Sequence, residues 1–201
     1  MSLLYEGTPP YSAVIRFNYY KSLSARNKQV YDASDRILKT PLPDVEGLWP
    51  LLPELRAALE ADDRARVEKS CQALAAGILA RLGVPPVTLR VLAVRPADGS
   101  GELHGLYEGV EGRLKQARLS LWMRTAQRKQ PVAFKSFLRT LLHELGHHLD
   151  YEHFKLADSF HTEGFYKRES SLFYQLLPEA EAEKKAKAAM KAKPKAKKGG
   201  A

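Results

Sequence analysis

Cysteine occurs once, at Cys71, in a chain of 201 residues. An internal disulfide is therefore excluded, and so is any metal ribbon built from cysteine pairs. Cys71 itself is expected to be a small buried apolar residue in a helix, not a reactive thiol. Long apolar stretches are also missing. No run of 18 apolar residues occurs, so no transmembrane helix is expected. The opening residues, MSLLYEGTPPYSAV, lack a basic start leading into an apolar stretch, so a secretory leader is not expected. These lacks point together to a cytoplasmic protein without a membrane partner.

Acidic residues are absent from Lys184 onward, where KKAKAAMKAKPKAKKGGA carries eight lysines. The formal charge of +9 resides there, because the remainder holds 24 basic and 23 acidic residues. The basicity belongs to a tail and not to the folded part. Lysine, alanine, proline and glycine without large apolar side chains bury too little surface to offset ordering entropy. Residues 179–201 are therefore expected to be a disordered Lys/Ala-rich tail. Eight lysines suit non-specific, salt-sensitive contact with nucleic acid, or simple solubilisation.

The rest of the chain divides into an N-terminal arm and helices, 1–52, and a main domain, 53–178. Residues 1 to 12 read as an irregular arm. The apolar spacing of Val14, Phe17, Tyr20, Leu23, Val30, Tyr31 and Ile37 predicts one or two amphipathic helices docking an aromatic side on the body. Helix follows from Leu52 to Leu82, broken near Ala61-Asp62-Asp63 and stopped by Gly83. VTLRVLAVR (87 to 95) alternates as a strand. ADGSGELHG carries turn chemistry, with His104 a simple strand or turn residue. GLYEGV is a candidate second strand, and ARLSLWMRT (117 to 125) a third. A long helix beginning near Pro131 and a closing helix from Thr162 to Leu177 complete an α+β pattern: a small three-stranded sheet on one side of a helical layer.

Five of the six histidines crowd into residues 143 to 161. His143 and His147 are four apart, which on a helix places them about 40° apart around the axis and about 6 Å apart along it. Their imidazoles project from one face and can share one ion. Glu144 reaches the same region without being a ligand. This is the H-E-x-x-H arrangement of two zinc ligands and a general base. The helix around it is apolar on most of its surface, so two histidines and a glutamate there need partners. Gly146, a poor helix former, suggests a close neighbour, expected to be another backbone.

A catalytic zinc takes a third protein ligand and keeps one position open. His148 points about 100° away from His147, and so reads as a bystander, as does His153 at the helix exit. Asp150 returns to the ligand face one turn too far and suits a hydrogen bond to a ligand better than ligation. His161 follows a loop where the chain can turn back. Glu169 on the closing helix is its rival.

HELGH, thirteen residues, and then His161 and Phe165 in HTEGF resemble the SprT-like zinc metallopeptidases. That family carries HExxH, a short connection and a third histidine opening a helix, commonly as H-G-x-x-F. The resemblance covers residues 87 to 178 in outline and the stretch from the motif to Phe165 in detail. It implies a minimal zincin-like domain, Zn2+ held by His143, His147 and His161, and Glu144 as base. Thr162 stands where the family usually has glycine, and the cysteine ribbon that often follows is absent. A second zincin group draws its third ligand from the closing helix, which would select Glu169.

The expected activity is a zinc-dependent metalloendopeptidase acting on a protein or peptide substrate, with Glu144 as general base on a zinc-bound water. Tyr166 is a candidate oxyanion donor, or simply a core residue. Residues 120 to 125 are expected to form an edge strand that pairs with extended substrate. Arg124, Arg128, Lys129, Lys135 and Arg139 form either a phosphate-binding rim or a solvated face. A second class of function is a nucleic-acid-associated binding protein with a structural or inactive zinc site, closed by a fourth ligand such as Asp150, Asp158 or Glu163.

Overall fold

A computed structural model describes residues 16–98, 101–110 and 115–192. The expected arm at residues 1 to 12 and the tail beyond residue 192 lie outside these. Helix α1 spans Ala25–Arg36, and Ser24 caps it by accepting the Asn27 N–H. It is preceded by a 3-10 turn at Asn18–Ser22. Helices α2, Leu51–Glu60, and α3, Arg64–Arg81, are separated by Asp62, whose φ of 53° reverses the chain. Asp63 then caps α3 by accepting the Arg66 N–H. Gly83 leaves α3 at a φ of 63°, a conformation that favours glycine. The proposed division at residue 53 falls inside α2, and the 16–52 segment packs on the same core as the rest. Leu42, Leu48 and Leu52 belong to that core.

Strand β1 spans Thr88–Val94 and strands β2 and β3, Ala97–Asp98 and Gly101–Glu102, form a short hairpin. Strand β4 is Gly105–Glu108 and β5 is Arg118–Arg124. The three-stranded sheet has the order β1-β5-β4. Strands β1 and β5 are parallel, and β4 and β5 antiparallel. Alternation decides its faces. Leu89 and Val91 of β1 and Leu119, Leu121 and Met123 of β5 all point into the core. The helices cover that side, which gives a small two-layer α+β domain.

Strand β5 is thus central, not an edge as expected from its sequence. The edge that faces helix α4, Phe134–Glu152, is the shorter β4. Helix α4 starts three residues after Pro131. Val132 N–H is still committed to Met123 O at 2.7 Å, and Pro131 bridges Arg124, so β5's pairing delays the helix. Helix α5, Glu163–Leu176, packs antiparallel-style beside α4 after a return loop and is capped by Thr162, whose hydroxyl accepts the Phe165 N–H.

Helix α6, Pro178–Ala192, corrects the expectation of disorder from residue 179. The lack of large apolar residues misled, because helix propensity works in the other direction. Proline is tolerated at a first helical position, Glu179 and Glu181 sit in the positive first turn, and alanine and lysine are strong helix formers. Ala180 is buried and Lys135 pairs with Glu183 at 2.8 Å, which docks the first turns. Among the described residues no helix is long and apolar enough to cross a membrane.

Candidate metal centre

Helix α4 presents His143 and His147 on one face, as their spacing requires, and the 153–162 loop brings His161 onto them. The Nε2 atoms of His143 and His161 are 3.0 Å apart, and those of His161 and His147 are 3.2 Å apart. One ligand atom from each of the three lies within 4.8 Å of the others. Ligands about 2.05 Å from a zinc at tetrahedral angles sit about 3.3 Å from one another. His161 therefore stands from each helical histidine at about the spacing one ion would impose.

The outward nitrogens of the two helical histidines show where each carries a proton. His143 Nδ1 lies 3.2 Å from Glu169 Oε2. A carboxylate only accepts, so Nδ1 carries a proton, and in the neutral ring the Nε2 lone pair faces the cluster. His147 Nδ1 lies 2.8 Å from Ser159 Oγ, whose own proton goes to Asp150 Oδ2 at 2.8 Å. Ser159 must then accept from His147 Nδ1–H, and His147 Nε2 is again free. This pairing of a ligand ring with an acceptor behind it is what metal centres use to fix orientation and raise basicity. Glu169, the rival third ligand, stands behind His143 and also accepts from Arg139 at 3.1 Å. Asp150 stands one hydrogen bond behind the His147–Ser159 pair, accepting from Ser159.

Burial favours the neutral form of His147 and His161. It lowers the His147 pKa to about 3, with His143 and His161 adding to the effect, and it lowers His161 in the same sense. Neutral imidazoles are the form that binds a cation. Burial raises Glu144 to about 7, against the smaller lowering effects of His143 and the Tyr107 N–H. Glu144 is only 6% exposed. It is held between helix α4 and strand β4, where the Tyr107 N–H donates to it. Gly105 makes this possible: a Cβ there would lie 2.8 Å from the Glu144 carboxyl carbon.

A cavity of about 790 Å³ opens over the cluster. Leu103, His104, Gly105, Leu106 and Tyr107 form its strand wall, and Ser136, Arg139, Thr140 and Tyr151 contribute from the α4 side. His104, read from sequence as a plain turn residue, is therefore in the cavity wall. Burial lowers its pKa, and Arg95 adds to that.

His148 is not on an outer surface. It is 2% exposed, and its Nε2–H donates to Pro85 O at 2.8 Å. Its Nδ1 is then the acceptor for the Tyr107 hydroxyl at 3.2 Å. It braces the strand wall and takes no part in the cluster. His153 sits exposed at the exit of α4. Gly146 faces the Phe165 ring, 3.0 Å from where its Cβ would be, so the close neighbour is a side chain and not a backbone. Phe165 in turn packs on all three imidazoles, with centroid distances of 5.0, 4.9 and 5.3 Å. Tyr166 is 40% exposed and stacks on His161 at 5.9 Å, so it is not a core residue.

The expected cationic rim is largely neutralised. Arg124 pairs with Asp62 at 2.6 Å, Lys135 with Glu183, and Arg139 with Glu169. The sequence signals for Ser159 and Gly105 were too weak to find them: one is a loop serine and the other a glycine in turn-rich sequence. No family model, curated protein or solved structure matches the chain.

Proposed function

We propose that the protein is a zinc-dependent peptidase of the kind its HELGH motif suggests. One observation carries the reading: three imidazole Nε2 atoms converge beside a buried carboxylate, with acceptors behind both helical histidines. The donor set of three nitrogens is typical of a catalytic zinc, and a bound zinc supplies Lewis acidity and a water acidified towards neutral pH. Glu144 does the proton work. A carboxyl with a pKa near neutrality both accepts a proton from the attacking water and returns it to the departing amine. The Tyr107 N–H aims it, and Gly105 leaves it room.

Strand β4 supports a peptide substrate. Its inner neighbour is β5, and its other edge faces the cavity. Backbone groups alternate in direction along an antiparallel strand. His104 O points to β5, where it accepts the Trp122 N–H. Gly105 and Tyr107 therefore direct their groups outward; the Tyr107 N–H goes to Glu144, and the Gly105 backbone groups and the Tyr107 carbonyl face an extended chain lying in the cavity. Pairing through backbone favours flexible segments over defined sequences, and exposed Leu103 and Leu106 favour apolar ones.

The reading of a closed structural site has less support. Among the described residues only the three histidines form the cluster. Asp150 is committed to Arg168 and Ser159, Asp158 to Tyr151 and the Ser159 N–H, and Glu163 to Lys167. The decisive experiment measures metal content and cleavage of a denatured, alkylated protein. One zinc per chain in wild type, retained in an inactive Glu144→Gln, is the expected outcome. Absence of any bound metal, or full activity in Glu144→Gln, would sink the reading.

A further inference from the structure

The two helical histidines are presented by α4 itself. His161 is not: it lies in the irregular 153–162 connection, and something must hold that connection still. The holding contacts come from far away in sequence. The Tyr19 hydroxyl donates to the backbone carbonyl of His161 at 2.8 Å. Asp35 Oδ1 accepts the Gly164 N–H at 2.8 Å. Ser34 Oγ and Thr162 Oγ1 are 3.4 Å apart. The approach is so close that a Cβ on Gly164 would sit 2.6 Å from the carbonyl oxygens of Ser34 and Asp35.

A second route joins the same end of α1 to His147. Buried Arg168 donates to Ser34 O at 2.6 Å and Ile37 O at 2.8 Å. Both carbonyls lie at the C-terminal end of α1, where a cation is favoured, and Ser34 O also accepts the Ile37 N–H. The same guanidinium donates to Asp150 at 2.7 Å, Asp150 accepts from Ser159, and Ser159 accepts from His147.

We propose that the N-terminal segment, residues 16–37, is a clamp for the metal centre, with Tyr19 and Asp35 as positioning residues that pre-set His161 and slow metal release. The proposal rests on the metal-centre reading above. The physical basis is preorganisation. A loop ligand left free must be ordered when the ion binds, and the ordering cost lowers affinity. A loop already fixed by the clamp avoids that cost.

Tyr20 provides the control. It lies in the same turn, but its hydroxyl donates to Asp32 at 3.1 Å, away from the 161–164 segment. The full chain is loaded with zinc and its metal content measured, and zinc release to excess chelator is followed in wild type, Tyr19→Phe, Tyr20→Phe and Asp35→Ala. Thermal unfolding of the metal-free forms is recorded alongside. Tyr19→Phe and Asp35→Ala are expected to release zinc about fivefold faster, the scale of one lost hydrogen bond. Tyr20→Phe is expected to match wild type, and the two tyrosine variants to unfold alike without metal. Wild-type release from Tyr19→Phe, or equal acceleration in Tyr20→Phe, overturns the clamp while leaving the metal centre standing. A wild-type chain that takes up no zinc overturns both.

Discussion

His143 Nδ1 and Glu169 Oε2 are 3.2 Å apart, on the side of the imidazole that faces away from the other two histidines. On the zinc-site reading proposed above, this arrangement makes Glu169 a support for a ligand and His161 the third ligand. The two roles differ in consequence. Removing a carboxylate behind a ligand histidine costs about 10- to 100-fold in metal affinity. Glu169→Gln is expected to fall in that range by competitive zinc titration, and His161→Ala to lose considerably more. Full affinity in His161→Ala with loss in Glu169→Ala would exchange the two assignments.

Gly105 and Glu144 are in contact across the gap between strand and helix. Gly105→Ala would push the carboxylate from its place under the Tyr107 N–H. A displacement of about 1 Å in a catalytic group costs on the order of 100-fold in rate. The variant is expected to keep its zinc and its fold, with kcat lowered by about that factor. Unchanged kcat in a folded, zinc-loaded Gly105→Ala would mean that Glu144 tolerates the shift or does not act as the base.

Glu144 and His147 give the metal-free protein opposite pH slopes. Burial raises Glu144 from 4.5 to about 7, so between those values the folded state binds more protons than the unfolded and stability falls as pH rises. Burial lowers His147 from 6.5 to about 3, so across that window the unfolded state binds more protons and stability rises with pH. Glu144→Gln removes only the first slope. The metal-free variant is expected to equal wild type below pH 4.5 and to exceed it above pH 7, by roughly 3 kcal/mol at most. Denaturant unfolding at acid and alkaline pH measures this directly. A difference that is the same at both ends would contradict the charged burial of Glu144.

Much of the site was legible because helical periodicity is a local property. The four-residue spacing of His143 and His147 and the start of the closing helix near Thr162 need only the α-helical repeat. The supports were hidden for the opposite reason. Tyr19 and His161, or Arg168 and Ser34, meet through packing across more than a hundred residues, and neither member of such a pair carries a pattern of its own. The edge strand was misassigned for a related cause: β5 and β4 are both short and apolar, and which becomes central depends on β1 joining β5 in parallel. Helix α6 shows in helix propensity and not in apolar composition.

Gly146 and Phe165 set two effects against each other. Replacing a mid-helix glycine by alanine gains about 1 kcal/mol in helix propensity. Here the new methyl would meet the Phe165 ring at 3.0 Å. The ring is 1% exposed, and the three imidazoles lie against it. A shift of the ring disturbs the histidines packed on it, and overpacking of this kind costs about 1–3 kcal/mol. The steric term wins, and the strain is delivered to the ligands. Gly146→Ala is expected to lower zinc affinity by an amount larger than any change in the metal-free Tm. Zinc affinity equal to wild type, with a raised Tm, would show that the propensity gain prevails and that Phe165 has room to move.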